Sequence, residues 1–268
     1  MGLSRFGNSK GRSTPCLRRS SSLVTPIRIS SLSLRRLDLA QRKRSPEIGP
    51  LTAPHIAVPP TEVDSSAPNL DVFLNVPYDK QFVNLFLAYI AGLVTLGLSP
   101  RASLEIPGGG ARLDKITELI GCCSQSVHDL SRVELDMKDP PTPRFNMSFE
   151  LGIVVGFHSK GTAGHTWFVF ESNERRLKKS LSDLAATDPY IHDGTPRGVL
   201  SELLNAFVKS PRRPTMPQMA RVNLLLRASL GIILVKAGAK TPFKARAFEE
   251  LLIAARNLAS DVLKEQNV

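Results

Sequence analysis

Glu150 is the carboxylate whose setting first suggests chemistry. It lies in Arg144-Phe-Asn-Met-Ser-Phe-Glu-Leu-Gly152, and a helix wound at about 100° per residue places it among Phe149, Ile153, Val154 and Phe157. A carboxylate among apolar side chains is costly unless a partner neutralises it or a reaction uses it. Kept from water, such a group can pass a proton, attack an electron-poor carbon or steady a developing positive charge. Asp129, in His128-Asp-Leu-Ser-Arg132, is the candidate companion acid. A strand-end Asp serves equally as a turn or cap residue. Asn146 either caps the Glu150 helix or holds its carboxylate.

The elements that must position these groups alternate. Leu70–Val76 reads as a strand, and Lys80–Leu96 as a helix with apolar Phe82, Leu85, Phe86, Tyr89, Ile90 and Leu93 at helical spacing. Pro100–Ile106 is expected as a second strand, Leu113–Cys122 as a helix and Ser126–Leu130 as a third strand. A proline-rich loop from Ser131 to Arg144 then leads into the Glu150 helix, which runs to about His158. Gly161–Gly164 turn the chain into His165–Glu171, an apolar run of the kind buried on both faces of a sheet. Arg175–Leu184 is helical or irregular, Thr187–Gly194 a loop, and Thr195-Pro196 the start of a helix ending near Lys209.

Strands alternating with helices argue for an α/β fold, a parallel sheet with helices on both faces. Ligands of such sheets sit outside the carboxyl ends of the strands. That rule selects the loops Asn75–Asp79, Glu105–Gly110, Asp129–Asn146 and the one after Glu171. It is expected to bring Asp129, Asn146 and Glu150 together. Gly108–Gly110 lacks the Gly-Lys-Ser/Thr of a phosphate loop and reads as a flexible turn. Asp188–Asp193 gathers Tyr190, His192 and Asp193 before a helix, which suits a substrate lid or plain turn chemistry.

Composition limits the remaining classes. The net charge is +11, but residues 1–67 carry eleven Lys/Arg against four Asp/Glu. The folded part is therefore much less basic than the chain, and a nucleic-acid partner is expected only through the tail. The tail, 1–68, is Ser-, Arg- and Pro-rich with no acid before Asp38, a composition of disorder or of a transit peptide. The three cysteines, Cys16, Cys122 and Cys123, suit a reducing compartment, and a cytoplasmic location is expected. Five scattered histidines give no metal spacing, so neither metal nor cofactor is expected. No apolar run is long enough for a membrane span; Leu224–Val235, interrupted by Arg227, reads as a buried helix. Residues 211–268 read as two helices broken at Ala237–Pro242, a cap on the domain or a homo-oligomer contact.

Three features in order carry a resemblance. An apolar strand ends in Asn75-x-Pro77-Tyr78, another in Asp129-x-Ser131, and Asn146-x-x-Phe149-Glu150-x-Gly152 follows. Over about residues 70–209 this resembles the nucleoside 2-deoxyribosyltransferase-like and TIR-like superfamily. The resemblance implies a three-layer, flavodoxin-like domain that cleaves an N-glycosidic bond in a nucleoside, a nucleotide or NAD. It implies Glu150 as nucleophile or charge stabiliser and Asp129 as proton donor to the leaving base. Asn75, Pro77, Tyr78, Ser131, Asn146 and Phe149 would line the substrate, and Arg132 or Arg144 would meet a phosphate. The 13 residues between Ser131 and Phe145 are longer than the family pattern, and Arg144 and Asn146 stand where transferases often carry an acid. The competing expectation is a catalytically silent nucleotide-sensing or protein-interaction module of the same fold.

Overall fold

In the computed structural model, residues 68–265 are described, apart from 134, 137–138, 140–141 and 160–163. The basic tail and most of the glycine turn before His165 lie outside the described residues. Five strands form one parallel sheet: β1 (Asp71–Asn75), β2 (Ser99–Arg101), β3 (Gln125–Asp129), β6 (Thr166–Glu171) and β7 (Tyr190–Ile191). Their order is β2-β1-β3-β6-β7. Counted among themselves they run 2-1-3-4-5, the flavodoxin-like arrangement. A small antiparallel ribbon, β4 (Leu135–Asp136) with β5 (Thr142–Pro143), sits in the loop before Glu150.

Strand alternation sorts the side chains between two helical layers. Val72, Leu74 and Val127 face one core, packed with α1 (Val83–Thr95) and α5 (Pro196–Ala206). Phe73 faces the other, against α2 (Arg112–Cys122) and α3 (Asn146–Ser159). A short helix, α4 (Arg176–Ser180), packs Leu177 beside Met147 and Leu151 of α3. From Leu85 to Thr95 every residue of α1 is buried, as a helix apolar on all sides requires. Its outer side is covered by α6 (Met216–Ala237) and α7 (Ala245–Lys264).

Several boundaries differ from the sequence expectation. The strand expected at Pro100–Ile106 stops after three residues, and Ser103–Glu105 forms a 3₁₀ turn whose Glu105 carboxylate accepts from the Ala102 N–H at 2.8 Å. Pro100 is tolerated because β2 is an edge strand. The loop Thr187–Gly194 contains β7, which extends the sheet past β6. The segment Leu224–Val235 is not buried throughout. Leu224, Ile232 and Val235 are exposed, whereas Val222, Leu226 and Ile233 of the same helix are buried. Among the described residues α6 is the one helix long and apolar enough, by length and composition, to cross a membrane.

Candidate active site

The carboxyl end of β1 opens onto a cavity of about 890 Å³, walled also by Ser103 after β2 and by the start of α2. β1 delivers Asn75, Pro77 and Tyr78; the loop before α3 and its first turns deliver Arg144, Asn146, Phe149 and Glu150. Helix α3 turns Met147, Leu151 and Val154 inward and leaves Phe149 more than half exposed. Glu150, between those faces, is mostly withdrawn from water. Burial pushes its carboxyl up to about 7, although the Arg112 cation pulls the other way. No hydrogen bond or ion pair within the described protein engages that carboxyl.

Asn75 is fixed more firmly. Its Nδ2 donates to Nδ1 of His128 at 2.9 Å and to the Met147 carbonyl at 2.8 Å, so both amide hydrogens are spent. Asn75 and His128 are register partners on β1 and β3, which puts them on one face of the sheet. Behind them, His128 Nε2 lies 2.9 Å from Ser126 Oγ, Ser126 Oγ lies 2.9 Å from His165 Nε2, and His165 Nδ1 lies 2.8 Å from the Cys123 carbonyl. The carbonyl only accepts, so His165 Nδ1 carries a proton. With Asn75 Nδ2 donating to it, His128 Nδ1 accepts, so His128 Nε2–H donates to Ser126 Oγ. Burial first, and His165 second, lower the His128 pKa to about 3, keeping that ring neutral. The chain leaves Asn75 Oδ1 in the cavity wall with no protein donor.

Asp129 is elsewhere. One residue beyond His128, it points to the opposite face, where it is fully buried. Tyr89 of α1 donates to its Oδ2 at 2.7 Å, and His192 Nε2 lies 3.1 Å from the same oxygen. Its Oδ1 accepts the Ser131 N–H at 2.8 Å and the Ser131 hydroxyl. Gly194 N–H donates to His192 Nδ1 at 3.1 Å, which leaves the proton on Nε2, 2.9 Å from Ser131 Oγ. The arrangement joins β3, α1 and the β7–α5 turn. It is a saturated strut, and Asp129 does not meet Glu150 in the cavity lining.

The other expected residues divide in the same way. Asp79 takes both arginines: Arg144 Nη1 at 2.7 Å and Arg132 Nε at 3.6 Å. Arg144 still lines the cavity, whereas Arg132 and Ser131 do not. Tyr190 packs on Phe168 and Phe170. Asp193 has φ +51° and accepts from the Thr195 N–H and hydroxyl at 3.2 and 2.7 Å. Of the two readings of this segment, lid or turn, its contacts are those of turn chemistry around the buried His192.

No protein-family model matches the sequence, and no curated protein or solved structure matches it significantly. The functional argument therefore rests on the site itself.

Among the lining residues that escaped the sequence reading, two carry groups suited to a ligand. Ser103 Oγ lies 3.3 Å from the Tyr78 hydroxyl. Arg112, the first residue of α2, directs Nη2 to the Ser103 carbonyl at 3.2 Å and Nη1 to that of Ile106 at 3.3 Å. The strand-end rule had selected the loop ending at Gly110, two residues short of Arg112. Among the described residues, no group of three or more His, Cys, Asp and Glu side chains is disposed to hold a metal ion.

Proposed function

We propose that the cavity around Glu150 binds a nucleoside or nucleotide, NAD included, and cleaves its N-glycosidic bond. One observation supports this reading above the rest. The Glu150 carboxyl is largely withdrawn from water, has no hydrogen-bond or ion-pair partner among the described residues, and lines a cavity of ligand size. A structural carboxylate is expected to be paired or well solvated; this one is only partly exposed and has no ion pair among the described residues.

The chemistry follows from the bond. When the sugar–base C–N bond breaks, its electron pair leaves with the base and positive charge develops on the anomeric carbon. An ionised Glu150 attacks that carbon or steadies its charge. Water or an acceptor hydroxyl then supplies the new oxygen and releases a proton. With its pKa near 7, the same carboxyl populates both protonation states at neutral pH and can exchange a proton with base or water. The unpaired Asn75 Oδ1 accepts from a sugar hydroxyl. Asp129 takes no part, because its oxygens are already filled. The free thiols of Cys122 and Cys123 support a reducing, cytoplasmic setting.

The full chain is to be incubated with nucleosides, nucleotides and NAD, and free base separated by chromatography. Release of base supports the reading. Binding without release identifies a silent nucleotide-sensing module.

A further inference from the structure

We propose that the Arg112 corner of the cavity is a phosphate subsite, so that the substrate is a nucleoside phosphate rather than a free nucleoside. This rests on reading the cavity as a nucleoside site and adds the group that selects among its ligands.

The arginines around the carboxyl end of the sheet are not alike. Arg132 and Arg144 close on Asp79, Arg101 on Asp71 and Glu105, and Arg176 on Glu171. Those four are matched to carboxylates and are poor candidates for an incoming anion. Arg112 lines the cavity and meets only backbone carbonyls, those of Ser103 and Ile106. Among the described residues no acid makes an ion pair with it, although its charge acts on Glu150 in the same lining. Carbonyls orient a guanidinium without cancelling its charge. Two of its five N–H groups are used, and three remain for a ligand.

The neighbours of Arg112 are donors as well. Tyr78 and Ser103 bring hydroxyls into the same lining, 3.3 Å apart. Burial holds the Tyr78 phenol well above its usual pKa, so it stays protonated and able to donate. A fork of N–H groups beside two hydroxyls matches the oxygens of a phosphate, and guanidinium is suited to bidentate anion contact. The volume, about 890 Å³, is near the upper end for ligand pockets and leaves room for a phosphate beside sugar and base. Glu150, also in the lining, is left for the bond to be broken.

The test is calorimetric titration of the full chain with the four common ribonucleosides, their 5′-monophosphates and NAD, at one fixed ionic strength. For the base bound best, the monophosphate is expected to bind about tenfold more tightly than its nucleoside, the size of one charge-assisted hydrogen bond. Arg112→Gln should bring that ratio near one. Arg112→Lys, which keeps charge but not the fork, should give an intermediate ratio and decides the matter if the first variant misfolds. Equal affinity for nucleoside and monophosphate overturns the subsite and leaves the nucleoside reading standing. So does an unchanged ratio in Arg112→Gln with a wild-type circular dichroism spectrum. Failure of every ligand to bind overturns both.

Discussion

The Asn75 side-chain amide donates to Nδ1 of His128 across 2.9 Å. That one contact ties the orientation of a cavity residue to the protonation of a buried ring on the neighbouring strand. The proton order running back to Ser126 gives a direct spectroscopic expectation. In nitrogen-15 spectra of the histidine rings at neutral pH, His128 should appear as the Nε2–H form. His128 should stay neutral until the pH approaches about 3. An Nδ1–H signal for His128 would mean that Asn75 is turned the other way and that its oxygen does not serve the cavity.

Glu150 should leave a mark on stability as well. Its folded pKa, about 7, lies above the ordinary 4.5. The folded state therefore holds the proton more tightly, a stabilisation fully present below pH 4.5 and lost as pH rises through 7. Glu150→Gln removes that dependence. Melting curves should show the variant gaining on the wild type between pH 4.5 and pH 8; a constant difference across that window would contradict the desolvated carboxyl.

Asp129→Ala should act on folding rather than on chemistry. It removes the acceptor shared by Tyr89 and Ser131 and the carboxylate beside His192, leaving their polar groups buried. A cost of roughly 3–5 kcal/mol is expected from denaturant titration. Base release per folded molecule should persist. Loss of release from a variant that retains the fold would restore Asp129 as a catalytic acid.

Gly198 is where the turn after β7 closes on α5. A Cβ there would meet the His192 carbonyl oxygen at 2.0 Å, and its N–H already bonds the Thr195 cap at 2.9 Å. Gly198→Ala should destabilise by about 1–3 kcal/mol in the same titration. An unchanged midpoint would show that the turn can relax.

The parallel sheet was legible because Leu70–Val76, Ser126–Leu130 and His165–Glu171 are apolar runs separated by helical periods. The β7 strand was not: Tyr190–Ile191 is too short to show a period. The Glu150 face of α3 was legible only in part: spacing set Glu150 among Phe149, Ile153, Val154 and Phe157, and Val154 is buried, but Phe149 is more than half exposed. The failure at Asp129 has a plain cause. Grouping residues by strand ends ignored alternation, and His128 and Asp129 necessarily face opposite layers. Arg112 offered only a charged residue after glycines; its value depends on the arginines around it being neutralised by acids, of which Asp71 and Asp79 are distant in sequence. The exposed stripe of α6 was hidden because apolar content alone does not distinguish a buried helix from a half-covered one.

The most direct measurement compares wild type with Glu150→Gln in release of free base from nucleosides, their monophosphates and NAD, with circular dichroism confirming the fold of both. The expected result is base release by the wild type and a fall of at least about a hundredfold in the variant, the scale of a lost acid–base or nucleophilic group. Equal release by the two proteins would contradict the central claim that the desolvated carboxyl of Glu150 performs the reaction.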